Sequence, residues 1–268
     1  MPEVVSEAGL TLLQQYRLRK TALFLERESW LDQYRDISRY LLPRTGRFLV
    51  DDGKQNKGDK RHNDIYDSTG THAHTILSAG LMSGATSPAR PWFRLALQDK
   101  DLMEFEPVKM WLHKVTLLMR EIFNKSNTYR SFHQMYAELG AYGTAASFVL
   151  PNYKTVLHHY PMTVGEYAIA TDPEGNVNTL VREINKTVGQ VVAEFIRKPD
   201  GTLDWTRCSS TLKNMWDRHD YDKWVPITHI VEPRSDRERN LKSKLAVDMP
   251  WASCYFESKN TDEIFLRK

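Results

Sequence analysis

STGTHAHTILSAGLMSGATSPARPWF, residues 68–93, joins a run rich in small residues to a corner stiffened by two prolines. From Thr69 to Ala85 the apolar residues Ile76, Leu77, Leu81 and Met82 recur at helical spacing, while Gly70, Ala73, Ala79, Gly80, Ser83 and Gly84 leave much of the surface without bulk. Each glycine costs roughly 1 kcal/mol relative to alanine inside a helix, so three of them predict a close approach by another backbone that offsets the weak propensity. Pro88 and Pro91 then fix their own φ and push Ser87 and Arg90 toward extended conformations, which delivers Trp92 and Phe93 at a set angle. A core helix followed by an ordinary loop is the plainer reading of the same stretch.

Upstream, Leu13, Tyr16, Leu23, Phe24, Trp30, Leu31, Tyr34, Ile37 and Leu41 recur in steps that predict one long amphipathic helix, or two shorter ones, from about Leu10 to Leu42. A single helix would reach about 50 Å. Pro43 ends it, and RTGRFLVDDGKQNKGDKRHN reads as a solvated loop, its basic residues interrupted by acids.

Downstream, RLAL reads as a short strand, and Pro107 is placed to start a helix carrying Val108, Trp111, Leu112, Val115, Leu118, Met119, Ile122 and Phe123 on one face. A polar break at Asn124–Thr128 precedes another helix with Phe132, Met135, Tyr136 and Leu139, and Gly140 and Gly143 loosen the chain before SFVL. The period then shifts toward two. GEYAIAT and NVNTLVREI flank Asp172-Pro-Glu-Gly175, which predicts a β-hairpin. Thr187 and Gln190 have capping-box spacing, so VGQVVAEF is a short helix. A turn at Pro199-Asp200-Gly201 leads to a helix around Thr211–Trp216. Strands follow at WVPITHIV and WASCYFES, and SCYFE with IFLRK reads as a last hairpin whose second arm stops at Lys268. An arm ending there leaves an uncapped edge and suggests a chain that ordinarily continues. The fold class is α+β: long amphipathic helices over residues 1–145, and a mainly antiparallel β region with short helices over residues 146–268.

The 268 residues are enough for one large domain or two ordinary ones. A formal charge of +3, with 37 basic residues against 34 acidic, gives no general pull on nucleic acid. Cys208 and Cys254 form neither a disulfide framework nor a zinc spacing, and a reducing compartment fits them. The N-terminal stretch does not read as a signal peptide, and no run approaches the roughly 18 apolar residues of a membrane span, so a soluble cytosolic protein is expected.

Motifs for catalysis do not stand out: the phosphate-cradling, dinucleotide, nucleophile-elbow and metalloprotease patterns are not found. His72 and His74, with Asp64, Asp67 and His62 nearby, are candidate metal ligands, but residues two apart on a helix point about 200° apart. The Asp217-Arg-His-Asp-Tyr-Asp222 cluster could hold a cation or do acid and base work, and reads more simply as a charged turn. In His158-His159 only one ring can face a given side of a strand. Asp172–Asn176 lacks the twelve-residue calcium-loop pattern. No metal, cofactor or catalytic residue is assigned.

The run AHTILSAGLMSGATSPARPWFRL, residues 73–95, closely resembles the N-terminal signature of the head-to-tail connecting, or portal, proteins of short-tailed bacteriophages. AELGAYGTAASFV, EYAIATDPEGNVNTLVREI with the following AEF, and HIVEPR at His229–Arg234 extend the similarity over most of residues 15–268. The resemblance implies a structural, non-enzymatic subunit of a twelve-membered ring at one capsid vertex, through which double-stranded DNA is packaged and ejected. It implies a terminase motor, capsid and scaffolding proteins and a tail adaptor as partners, no membrane, and a place in the virion after assembly in the host cytoplasm. The residues present resemble the wing of such a subunit. Family chains are considerably longer, with stem, clip and crown expected after Lys268. Arg90, Trp92 and Phe93 are expected to form a buried joint supporting a subunit interface. Two other classes compete with this reading. One is a nucleic-acid-binding module using Arg17–Lys20 and Lys54–Arg61; the other is a metal-dependent hydrolase using the His72 and Asp217 regions.

Overall fold

A computed structural model describes residues 10–43, 65–234, 245, 248–260 and 262–268. The chain divides into two units: residues 31–165 form a helical unit, and residues 1–30 with 166–268 form a sheet unit. The first helix, α1 (Leu12–Tyr40), is one continuous element of 29 residues, without glycine or proline to break it. Its residues up to Trp30 belong to the sheet unit and those from Leu31 to the helical unit. Helix gives way to strand at Ala146, but the packing divides after Gly165, so the first hairpin belongs with the helices.

The helical unit continues with α2 (Thr69–Ala85), α3 (Lys100–Glu104), α4 (Glu106–Lys125), α5 (Thr128–Tyr142) and the antiparallel pair β1 (Ala146–Asn152) and β2 (Val156–Met162). Pro107 sits in the first turn of α4, as its fixed φ favours. Gly143 takes a left-handed φ of 73° and ends α5. The short α3 is an addition to the expected elements; Asp99 starts it by accepting hydrogen bonds from the backbone N–H groups of Asp101 and Leu102.

Three expectations for this unit are corrected. RLAL, residues 94–97, is no strand: it has no neighbouring strand to pair with, and the Leu95 N–H is satisfied by the Thr116 hydroxyl at 3.2 Å. Gly140 lies inside α5 rather than loosening the chain after it. The close approach between α2 and α5 is made by this glycine, where an added Cβ would stand 3.1 Å from Leu77 Cδ2. The glycines of α2 do not supply it. Gly80 and Gly84 have open space where a Cβ would be, and only Gly70 of that helix is crowded, by Leu41 Cδ1 at 3.3 Å.

In the sheet unit β3 (Tyr167–Thr171), β4 (Val177–Thr187), β5 (Trp224–Pro233) and β6 (Trp251–Glu257) form an antiparallel sheet in that order. Asp172 holds the β3–β4 turn by accepting from the N–H groups of Glu174 and Asn176, and Gly175 supplies the left-handed φ. Strand periodicity sends alternate residues to opposite faces. Val181, Ile230, Cys254 and Phe256 pack with Leu13, Tyr16 and Leu23 of α1. Ile184, Ile227 and Tyr255 pack with α6 (Val188–Val191), its π-helical continuation Val192–Ile196, and α7 (Ser210–Asp217). The capping box at Thr187 and Gln190 starts α6. Glu257 accepts from the N–H and hydroxyl of Ser209, and that hydroxyl caps α7 through Leu212 N–H. The second arm of the last expected hairpin is reduced to one bridge between Tyr255 and Arg267, extended by a bond from Leu266 N–H to Tyr255 O.

Candidate assembly joint and exposed surfaces

The proline corner places Trp92 and Phe93 at the meeting of α4 and α5. Trp92 lies 4.6 Å from Phe93, 6.1 Å from Phe123 of α4 and 6.1 Å from Phe132 of α5, measured between ring centroids. Its indole N–H donates to the Tyr129 hydroxyl at 3.2 Å, so the polar end of the ring is satisfied while its body packs. Both residues are half-buried. Arg90 stays apart from this cluster: its side chain is exposed, and Nη2 donates to the Ser83 carbonyl in the last turn of α2 at 3.1 Å. The proposed trio is thus an aromatic pair plus a cation that closes a helix end.

The cluster extends further than the corner. Phe132 meets the His159 ring edge-on at 5.5 Å. Asn127, in the polar break between α4 and α5, donates to the His159 carbonyl at 2.7 Å and accepts from its N–H at 2.8 Å, pinning β2 to the helical corner. His159 is buried while His158 is exposed, and burial, with the neighbouring His158 second, lowers the His159 pKa. Tyr136 donates to the Thr86 hydroxyl, and the buried His74 ring bonds through Nε2 to the Ala137 carbonyl at 2.8 Å, tying α2 to α5. Phe123, Phe132 and Tyr136 announce themselves by helical period. Asn127 carries no comparable signal, because its bond to a residue thirty-two positions away depends on the tertiary fold.

The candidate metal ligands do not converge. His74 is bonded to α5, His72 is exposed, and Asp67 accepts from the N–H and hydroxyl of Thr69 at the start of α2. His62 and Asp64 lie outside the described residues. In the Asp217–Asp222 cluster, Asp220 pairs loosely with Lys223 and the His219 ring bonds to the Asp217 carbonyl, as in a charged turn. Among the described residues, no group of three or more His, Cys, Asp or Glu is placed to hold a metal. Of the two basic stretches, Arg17–Lys20 is largely engaged within the sheet unit: Arg17 donates to the Asp262 carbonyl and Lys20 pairs with Glu183. Lys54–Arg61 falls outside the described residues. No helix among the described residues is long and apolar enough to cross a membrane.

The HIVEPR stretch proves architectural. His229 Nδ1 accepts from Arg182 Nε at 3.1 Å, which leaves Nε2–H to donate to the Ser253 hydroxyl at 2.9 Å. The ring stacks on Tyr255 at 3.9 Å, and Arg267 covers the same tyrosine at 4.4 Å. Burial, then the charges of Arg182 and Arg267, pushes the His229 pKa down to about 3. Burial also raises the pKa of Glu232, an effect that the neighbouring Tyr16 hydroxyl and Arg19 charge of α1 partly offset.

The helical unit exposes many large apolar side chains. Val149, Leu150, Tyr153 and Val156 are exposed on the β1–β2 hairpin, and Leu97, Leu102, Phe105, Met110 and Trp111 are exposed around α3 and the start of α4. Val156 has φ 68°. A β-branched residue in that left-handed region is held about 1–2 kcal/mol above relaxed backbone.

Long helices, one antiparallel pair and a four-stranded antiparallel sheet make this an α+β protein whose helical unit turns large apolar side chains outward. The chain belongs to the bacteriophage head to tail connecting protein family, which matches residues 13–268. It is 51% identical over 232 residues to the probable portal protein of Bordetella phage BPP-1, covering 87% of this chain and 40% of that protein. It is 41% identical over 244 residues to the portal protein of Salmonella phage epsilon15, covering 91% of this chain and 42% of that one. The chain thus spans about two fifths of the length of these relatives.

Proposed function

We propose that this chain is the wing-forming part of a portal subunit, one of a ring of copies that joins the phage head to its tail at a capsid vertex. The observation that carries this reading is the 51% identity to a probable portal protein across 87% of the chain. In this reading the role is structural and not catalytic. The ring has twelve copies, double-stranded DNA passes through it, and a terminase motor, capsid and scaffolding proteins and a tail adaptor dock on it. Residues 1–145 and 146–268 are the helical and β-rich portions of the wing. The molecule assembles in the host cytoplasm and ends in the virion.

The physical support lies in the helical unit, whose exposed Trp111, Phe105 and Tyr153 are the kinds of side chain that anchor protein contacts. Trp92 and Phe93 brace α4 and α5 from within, so their proposed share in an interface is to hold its shape. Electron microscopy and mass-resolved sizing of the intact gene product test the proposal. A closed ring with a central channel is expected, and a monomer at micromolar concentration in the presence of its scaffolding protein would overturn it.

A further inference from the structure

We propose that the β1–β2 hairpin of one copy docks on the α3–α4 corner, residues 97–111, of the next copy. This rests on the ring reading above and names the surfaces that would meet. The hairpin is the better defined of the two. Val149, Leu150 and Val156 are exposed on it, and Tyr153 at its tip is fully exposed. The outer edges of a two-stranded pair normally invite a further strand, yet Pro151 in β1 and Pro161 in β2 each remove a backbone donor. Docking through side chains is therefore favoured over the addition of a further strand.

The tip has a second peculiarity. Asn152 accepts from the N–H groups of Lys154 and Thr155 to shape the turn, and the chain returns through Val156 in the left-handed region, where glycine or asparagine would be relaxed. The Val156 side chain is 61% exposed. Within the chain it gains little burial for holding a strained backbone. A surface that covers Val156 and its neighbours in the assembly supplies the missing gain.

Charge points to the occupant. Residues 146–164 contain the exposed Lys154 and His158, a buried His159 and no carboxylate, whereas residues 97–111 carry Asp99, Asp101, Glu104 and Glu106 against Lys100 and Lys109, the last paired with Glu104 at 2.8 Å. Those four acids are exposed, together with Leu102, Phe105 and Trp111. An apolar finger with one exposed lysine and no carboxylate, and an apolar corner with a net excess of acids, thus occur once each on every copy. Both are exposed within the same unit, so neither is covered by the other in one chain. A second copy brings the complement in equal number, and the contact is head-to-tail, the kind that can close a ring.

Cysteine cross-linking on the full chain tests this. Tyr153→Cys and Leu102→Cys replace exposed residues, while the native Cys208 and Cys254 are buried. With a short bifunctional thiol reagent, the double variant should give a covalent series up to the full ring. An equal mixture of the two single variants should give linked neighbours, and either single variant alone should give none. Intact rings of the double variant that leave the chains unlinked would overturn the proposed contact while leaving the ring reading in place. Failure of the unsubstituted chain to form any ring would overturn both.

Discussion

The two units, described over similar lengths of chain, solve burial in opposite ways. The sheet unit holds twenty-two of the twenty-seven buried hydrophobic residues among the described positions; the helical unit holds only Leu31, Leu112, Tyr142, Met162 and Val164. The sheet has cover on both faces, so each strand residue finds a core on its own side. The helices of the other unit run as amphipathic elements whose apolar stripes are wider than the surface available to cover them. Leu112 is buried in α4, but Trp111, Leu117 and Leu118 are exposed. Apolar surface removed from water is worth roughly 25 cal/mol per Å², so the sheet unit stabilises itself, while the helical unit leaves much apolar surface in water that the proposed assembly would cover. Within the family reading, one unit is the support and the other is the contact surface.

The sharpest way to break this comparison is to delete one large aromatic from each unit. Phe256 is fully buried in the sheet core, and Phe256→Ala should cost about 3–5 kcal/mol, read as a lowered urea midpoint. Trp111 is 62% exposed, and Trp111→Ala should change the stability of the unassembled chain by less than about 0.5 kcal/mol while reducing the assembled fraction. Equal losses of stability from both substitutions would show that the helical unit has a core of its own.

The sheet unit should also weaken more under acid than the helical unit, where burial of His159 acts in the same direction. His229 is held neutral with a pKa near 3, below the 6.5 of an unfolded histidine. The unfolded chain therefore takes up a proton that the folded sheet unit refuses. Stability from neutral His229 is fully present above about pH 6.5 and is lost as pH falls toward about 3, on the order of a few kcal/mol. Glu232 works the other way, since its raised pKa makes the folded state take up a proton before the unfolded one and softens the slope. Urea midpoints between neutral pH and about pH 4 should fall for the native chain and fall less for His229→Gln, measured against each protein's own neutral value. An unchanged slope would remove His229 as the cause.

The aromatic joint sits between the extremes. Trp92 is half-buried, so Trp92→Ala should destabilise by roughly 2 kcal/mol and disturb assembly by loosening the α4–α5 corner. Thermal melts and ring yield both unchanged would sink its bracing role.

Much of this contrast was legible in the sequence. The helical character of residues 12–40, though not whether it is one helix or two, the Pro107 start, the Asp172–Gly175 turn and the Thr187–Gln190 box follow from local rules: period, fixed φ, turn chemistry and reciprocal capping. Trp92 and Phe93 were readable as a corner because two prolines aim them. What stayed hidden depends on partners distant in the chain. RLAL has strand-forming residues but no strand beside it. Arg90 lies two residues from Trp92, yet it turns to a carbonyl of α2. The glycines of α2 predicted a close approach that is made instead by Gly140, because composition reveals small residues without revealing which side they face.

That misassignment gives a finer test. Gly80→Ala adds a methyl group to open space and should stabilise the unassembled chain by about 1 kcal/mol through helix propensity. Gly140→Ala gains the same propensity but presses its Cβ to 3.1 Å from Leu77, so its benefit should be smaller. A larger gain at Gly140 than at Gly80 in thermal melts would mean that the α2–α5 packing is looser than its geometry.

The smallest effect carries the comparison furthest, because support and contact surface predict opposite signs for it. Val156→Gly removes a left-handed valine that costs about 1–2 kcal/mol, while glycine returns about 0.5–1 kcal/mol of that to the unfolded chain's freedom. The unassembled chain should therefore become more stable by roughly 0.5 kcal/mol. The assembled fraction should move the other way, because the substitution takes an apolar side chain from the hairpin surface. Thermal melts of the unassembled protein and sizing of the ring, made on the same variant, read the two quantities separately. A variant more stable and equally able to assemble would mean that Val156 is held in strain for a reason other than docking. One less stable even as a single chain would place the valine in the fold of the helical unit and not on its outer face.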